Sequence, residues 1–148
     1  MKNRKLGNLD LNVSEIGLGC MSFAGFYDPT TKEESFKCLD KARDSGISFL
    51  DTAEMYGWGL SETIIGEYQQ LNNFSFNIAT KGGIVKGAAR GTNDNSEKGL
   101  RKALEGSLRR LKVEHIPLYY IHRRDYKYDI EDVAYTLSKF IEEGKIGG

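Results

Sequence analysis

Ser48-Phe49-Leu50-Asp51-Thr52-Ala53-Glu54-Met55-Tyr56-Gly57 is the stretch whose reading decides the fold, because a short apolar run breaks there into a polar loop that carries an acid and a phenol. Ile47 to Leu50 are too few for a helix and apolar on both faces, which predicts a parallel strand buried under helices. The residue that ends this strand is a carboxylate. In closed or doubly wound parallel sheets the carboxyl ends of the strands form the functional face, so Asp51 is placed where chemistry is done, with Tyr56 on the loop that follows.

Two further stretches deliver partners to the same face. Asn77-Ile78-Ala79-Thr80 ends in Lys81, and Pro117-Leu118-Tyr119-Tyr120-Ile121 ends in His122. The separations from Asp51 to Lys81 and from Lys81 to His122 suit repeated strand-helix units of about 30 residues or more. FLDTAEMYG, IATKGG and LYYIHRRD resemble the strand-end motifs of the aldo-keto reductase family, whose members carry Asp, Tyr, Lys and His on a (β/α)8 TIM barrel. All four match, in the family's order, at Asp51, Tyr56, Lys81 and His122. The resemblance spans essentially the whole chain but only the first half of the family's barrel. It implies an α/β fold made of an amino-terminal hairpin plus (β/α)4, a single partial barrel domain over residues 1–148.

Length agrees with that reading, since 148 residues suffice for one domain with a core whereas a complete barrel needs about 250. Lys plus Arg number 21 and Asp plus Glu number 21, so no net field points to nucleic acid or to an anionic membrane as a partner. Cys20 and Cys38 have no CxxC spacing, and with only two histidines the chain offers no metal-ligand pattern. The amino terminus, MKNRKLGNLDLN, is too polar for the apolar core of a signal peptide, and no apolar run approaches the ~20 residues of a membrane span. The expected location is the cytoplasm with both thiols reduced, which makes the sequons at Asn12 and Asn73 incidental. Neither GxSxG nor GxxxxGK[ST] occurs, which disfavours a serine hydrolase or a P-loop enzyme.

Along the chain, Arg4-Lys5-Leu6 and Leu11-Asn12-Val13 flank the turn Gly7–Asp10 and predict a short hairpin. Glu15 to Gly19 predict the first barrel strand. Gly17 and Gly19 invite a dinucleotide-fingerprint reading, but the third glycine of GxGxxG would fall on Ser22, and that motif fails. Thr31 and Glu34 form a capping box for a helix with Phe36, Leu39 and Ala42 at helical spacing, ended by Gly46. Ser61 is expected to cap a second helix with Ile64, Ile65 and Tyr68 on one face. The segment Gly82 to Asn95 is longer than most strand-to-helix connections and suits contact with a ligand. Ser96 is expected to cap a third helix with Leu100, Leu104, Leu108 and Leu111 on its stripe, and Arg109, Arg110 and Lys112 read as a solvated helix end. Asp129 opens a fourth helix with Val133, Leu137, Phe140 and Ile141 inward, stopped by Gly144. In the resembled family, Lys145 to Gly148 would lead into a fifth strand.

Each of the four strand-end residues has an ordinary structural explanation by itself: a loop cap, a rim aromatic, a solvated lysine, a satisfied histidine. Their conjunction on one face points instead to chemistry. A phenol is a poor acid at neutral pH unless a cation stabilises its anion, which Lys81 can do, and a buried lysine in turn needs an acid such as Asp51 to hold its charge. His122 would orient or polarise a carbonyl oxygen. Together these describe reduction of a small aldehyde or ketone, with Tyr56 as general acid and hydride arriving from a nicotinamide. The resemblance further implies NADPH, or NADH in its place, with the backbone at Gly19, Cys20 and Met21 beneath the nicotinamide beside Asp51, and with the remaining cofactor contacts on the family's fifth to eighth strands. His115 and Asp125 are expected to be structural. The alternative is a truncated, non-catalytic interaction or accessory protein on the same scaffold, and a half barrel with open edges is expected to self-associate.

Overall fold

The structure is a computed structural model, described here for residues 1–89 and 91–148. Strands β1 (Asn3–Lys5) and β2 (Asn12–Ser14) pair antiparallel with Arg4 opposite Val13, and Leu6 N donates to Leu11 O at 2.9 Å to close the turn of the expected hairpin. A second sheet holds β3 (Leu18–Gly19), β4 (Phe49–Asp51), β5 (Asn77–Gly82) and β6 (Leu118–Ile121), in that spatial order and all parallel. Parallel neighbours cannot be joined by a tight turn. Helices α1 (Lys32–Asp44), α2 (Leu60–Asn72) and α3 (Glu97–Leu111) make the crossovers, and α4 (Ile130–Glu142) follows β6.

The helix starts follow local chemistry in two cases. Thr31 Oγ1 accepts from Glu34 N at 3.2 Å while Glu34 Oε2 accepts from Thr31 N at 2.8 Å, the capping box read in the sequence. Ser96 Oγ accepts from Gly99 N at 3.0 Å. Ser61 is a correction: Gly59, in the left-handed region at φ 97°, caps α2, and Ser61 lies buried in the first turn. Its hydroxyl donates to Cys20 O at 2.9 Å and lies 2.9 Å from Thr52 Oγ1, so a buried carbonyl claimed the group that would have capped. Asp129 occupies the cap position of α4 without a side-chain cap bond.

Two predicted elements are trimmed. Only Leu18 and Gly19 pair with β4, because Ser14 and Ser48 exchange side-chain hydrogen bonds upstream: Ser14 N donates to Ser48 Oγ at 2.8 Å and Ser48 N to Ser14 Oγ at 2.9 Å. Hydroxyls there replace ladder bonds. On α4 the buried stripe is Val133, Thr136 and Phe140, whereas Leu137 is half-buried and Ile141 is 46% exposed, beyond the edge of the stripe that a 3.6-residue period allows. The long segment after β5 folds back on itself, with Ile84 bridged to Asn93 and Val85 N donating to Thr92 O at 3.0 Å.

The core lies between the helices and the outer face of the sheet, where Leu39, Leu50, Ile65, Tyr68, Leu100, Leu104, Leu111 and Phe140 are buried. The inner face is open, with Gly19 exposed and Tyr120 41% exposed. Beyond β6, Ile146 bridges in parallel to Ile116 and Gly148 O accepts from Tyr119 N at 2.8 Å, so Lys145 to Gly148 lie in the place of a fifth strand. Among the described residues no helix is long and apolar enough to cross a membrane.

Gly66 sets two helix rules against each other. Alanine is preferred to glycine inside a helix by about 1 kcal/mol. A methyl on Gly66, however, would meet the Arg110 carbonyl oxygen at 2.2 Å and Leu111 Cα at 2.9 Å, backbone that cannot swing aside. We expect Gly66→Ala to lower the unfolding free energy by about 2 kcal/mol in urea titration, the scale of overpacking. An increase would mean that α2 and α3 separate freely.

Candidate active site

In the parallel register of β4 and β5, Asp51 lies opposite Ala79, so Lys81 is two residues further and on the same face. His122 follows β6 directly, and its N–H donates to Gly82 O at 2.9 Å, extending the ladder by one step. Tyr56 is brought back over the strand ends by the loop after β4, where Glu54 N donates to Lys81 O at 3.1 Å, Tyr56 N to Ala53 O at 3.0 Å and Ser61 N to Tyr56 O at 3.2 Å. The four residues meet. Lys81 Nζ donates to Asp51 Oδ1 at 2.5 Å, to Thr52 O at 2.8 Å and to Tyr56 Oη at 3.4 Å. The Tyr56 and His122 rings stand edge to face with centroids 6.0 Å apart.

Burial holds the His122 imidazole below its ordinary value of 6.5, with the nearby Lys81 and Arg123 charges adding and Asp51 opposing. The ring is therefore neutral at pH 7. Its Nδ1 is buried and has no partner among the described residues. Cys20 N donates to Asp51 O at 2.8 Å, and the Cys20 thiol is fully buried, which pushes its ionisation far up and makes it a packing group. Gly19 is exposed beside it with nothing within 4 Å of where a Cβ would stand, and Met21 opens a 3-10 turn over Met21–Ala24. The Gly19 backbone thus lies uncovered beside Asp51, its partner in the ladder.

The basic cluster at the end of α3 is a partial correction. Arg109 is exposed as expected, but Arg110 reaches inward, where Nε donates to Glu62 Oε2 at 2.7 Å and Nη2 to Glu54 Oε1 at 3.3 Å. Glu62 is fully buried and would be unstable there without that cation. Burial also pushes the Glu54 carboxyl up, against the pull of Arg110. A sign of this was available in the sequence, since Glu62 shares a helical face with Ile65 and Gln69 and a carboxylate on a buried stripe requires a partner. His115 and Asp125 are placed in structural contacts: His115 Nδ1 lies 2.8 Å from Gly144 O, and Asp125 N donates to Asn95 Oδ1 at 2.6 Å.

The sequence model of the Aldo/keto reductase family matches residues 15–148. The chain belongs to the aldo/keto reductase family. Among curated relatives of this aldo/keto reductase, probable aldo-keto reductase 1 of Glycine max is 40% identical over 96% of the chain and 42% of its own length. The aldo-keto reductase yakc of Schizosaccharomyces pombe, whose name carries NADP(+), is 37% identical over 97% of the chain and 43% of its own. The holo form of an aldo-keto reductase from Bacillus halodurans superposes with a TM-score of 0.86 at 33% identity, covering 99% of this chain and 48% of that one. The chain therefore spans about half the length of the relatives it matches, and its fold is half of an aldo/keto reductase barrel.

The depressed His122 value gives a signed expectation. Relative to unfolded chain, a histidine kept neutral contributes fully above pH 6.5, and that contribution is lost as pH falls through the lower folded value. NMR titration of the His122 ring should give a midpoint below 6.5, and His122→Gln should flatten the acid side of the stability profile. A midpoint above 6.5 would place an unmatched acid against the ring.

Proposed function

We propose that this chain carries the proton-handling half of an NAD(P)H-dependent carbonyl reductase acting on small aldehydes or ketones. The observation that supports the reading is the Lys81 ammonium, which donates at once to Asp51 Oδ1 and to Tyr56 Oη. Because lysine is the donor in the second bond, the phenol's own hydrogen is free to point at a substrate oxygen. Tyr56 is the general acid: its proton passes to the carbonyl oxygen as that oxygen gains charge, and Lys81 stabilises the phenolate left behind. Asp51 pairs with the ammonium and holds it beside the phenol. Neutral His122 offers a ring N–H to the carbonyl oxygen and sets its orientation.

In this reading the backbone at Gly19, Cys20 and Met21 would lie beneath the nicotinamide end of NADPH, or of NADH in its place, with Asp51 at its side; the open space at Gly19 supports it. When bound, that cofactor supplies the hydride. The exposed carboxylate and bare glycine backbone leave room for a flat ring and a ribose, and the free thiols Cys20 and Cys38 suit a reducing compartment such as the cytoplasm.

In a chimera that joins these residues to the carboxyl-terminal half of the Schizosaccharomyces pombe relative, Tyr56→Phe should lower turnover by about 10² to 10⁴, the usual scale of general acid catalysis. Lys81→Met should be comparably damaging. A loss of only a few fold at Tyr56 removes it from the acid role, and a dispensable Lys81 removes the cation-assisted phenol.

The alternative, a non-catalytic interaction protein, has the open inner face in its support. For the 148-residue chain we propose self-association, since Tyr120 and Gly19 lie uncovered on that face. Sedimentation at micromolar concentration should show a dimer or larger species, and a compact monomer would overturn this. Saturable binding of NADPH, followed by its fluorescence, separates the reductase from the interaction protein.

A further inference from the structure

The inner side of β5 presents Lys81 to Asp51 and Tyr56, but the residue before it, Thr80, points the other way and is fully buried. Thr80 Oγ1 donates to Glu62 Oε1 at 2.6 Å. The second oxygen of that carboxylate accepts from Arg110 Nε at 2.7 Å, and Arg110 Nη2 continues to Glu54 Oε1 at 3.3 Å and to Ser107 Oγ at 3.4 Å. Glu54 lies two residues before Tyr56 and donates its N–H to Lys81 O at 3.1 Å. The guanidinium stem also runs under the loop, so close that a methyl on Gly59 would meet Arg110 Cδ at 2.3 Å. One closed path of hydrogen bonds therefore joins the strand that carries Lys81, the first turn of α2, the last turn of α3 and the loop that carries Tyr56.

We propose that Thr80, Glu62 and Arg110 are positioning residues for Lys81: they clamp the end of β5 from its outer face, so that the ammonium is held within hydrogen-bond reach of Tyr56 Oη. The proposal rests on the reductase reading only for the use to which Lys81 is put. Strand geometry makes the coupling direct, because successive side chains of β5 leave opposite faces and a shift of Thr80 must displace Lys81. Glu62 suits the anchor role because its two carboxylate oxygens accept one bond each, from Thr80 and from Arg110, in a fully buried site. A neutral side chain there would supply one bond at most of comparable strength.

The test reads the placement of Lys81 without cofactor or substrate, so it can fail while the reductase reading stands, or the reverse. The chain is labelled with trace acetic anhydride, and the acetylation rate of each lysine is measured by peptide mass spectrometry. Thr80→Val, which keeps shape and removes the donor, should speed Lys81 by about fivefold, the scale of one lost hydrogen bond. Thr80→Ser should restore the original rate. Lys139 and Lys145, ion-paired to Glu97 and to Glu105 and Glu143 on another side of the molecule, should be unchanged in both variants. An unchanged Lys81 in Thr80→Val overturns the proposal. A uniform rise across all lysines also overturns it, because Thr80 would then support the fold as a whole and not Lys81 in particular.

Discussion

Parallel pairing of β3, β4, β5 and β6 is the constraint on which everything else depends. Strands that run the same way end on the same side, and the two-residue period of a strand then decides which end residues face inward. Asp51, Lys81 and His122 belong to three strand ends and share one face only because their registers differ by even steps. A one-residue slip of β5 would send Lys81 into the helix layer and bring Thr80 to Tyr56. The helices are present because parallel neighbours need a crossover, and their apolar stripes bury the outer face that this geometry creates.

Two charge systems sit on opposite sides of β5. On the inner side Lys81 is 16% exposed and Asp51 41%, so water reaches the pair and its charge remains available to a bound molecule. On the outer side Glu62 is fully buried, and Arg110 together with Thr80 must satisfy it completely. The first arrangement suits a group that acts on a ligand, the second a group that holds other groups in place. Between them β5 is tied by side-chain hydrogen bonds on both of its faces.

The inner face shows the same logic by contrast. Its side chains are not packed into layers as in a filled barrel, and the positions that would meet an opposing wall, such as Tyr120, remain in contact with solvent. The chain covers about half of its relatives, which agrees with a sheet that makes half of a barrel.

By itself the sequence determined what depends on short-range pattern. The four strand-helix units, the Thr31 capping box, the Ser96 cap, and Asp51, Lys81 and His122 at strand ends with Tyr56 on the loop after the first of them are all legible from apolar periodicity and from polar residues at its breaks. Tertiary structure decided whatever depends on which groups meet across elements. Ser61 has the chemistry of a cap, but a buried carbonyl of Cys20 took its hydroxyl. Arg110 reads as a solvated cation, but the buried Glu62 of another helix drew it inward. Ile141 continues an apolar stripe on paper and is exposed because it lies beyond the buried side of α4 that Val133, Thr136 and Phe140 form. Local propensity is set by neighbours along the chain, whereas the cost of leaving a buried polar group unpaired is set by neighbours in space, and at Ser61 and Arg110 the second is larger.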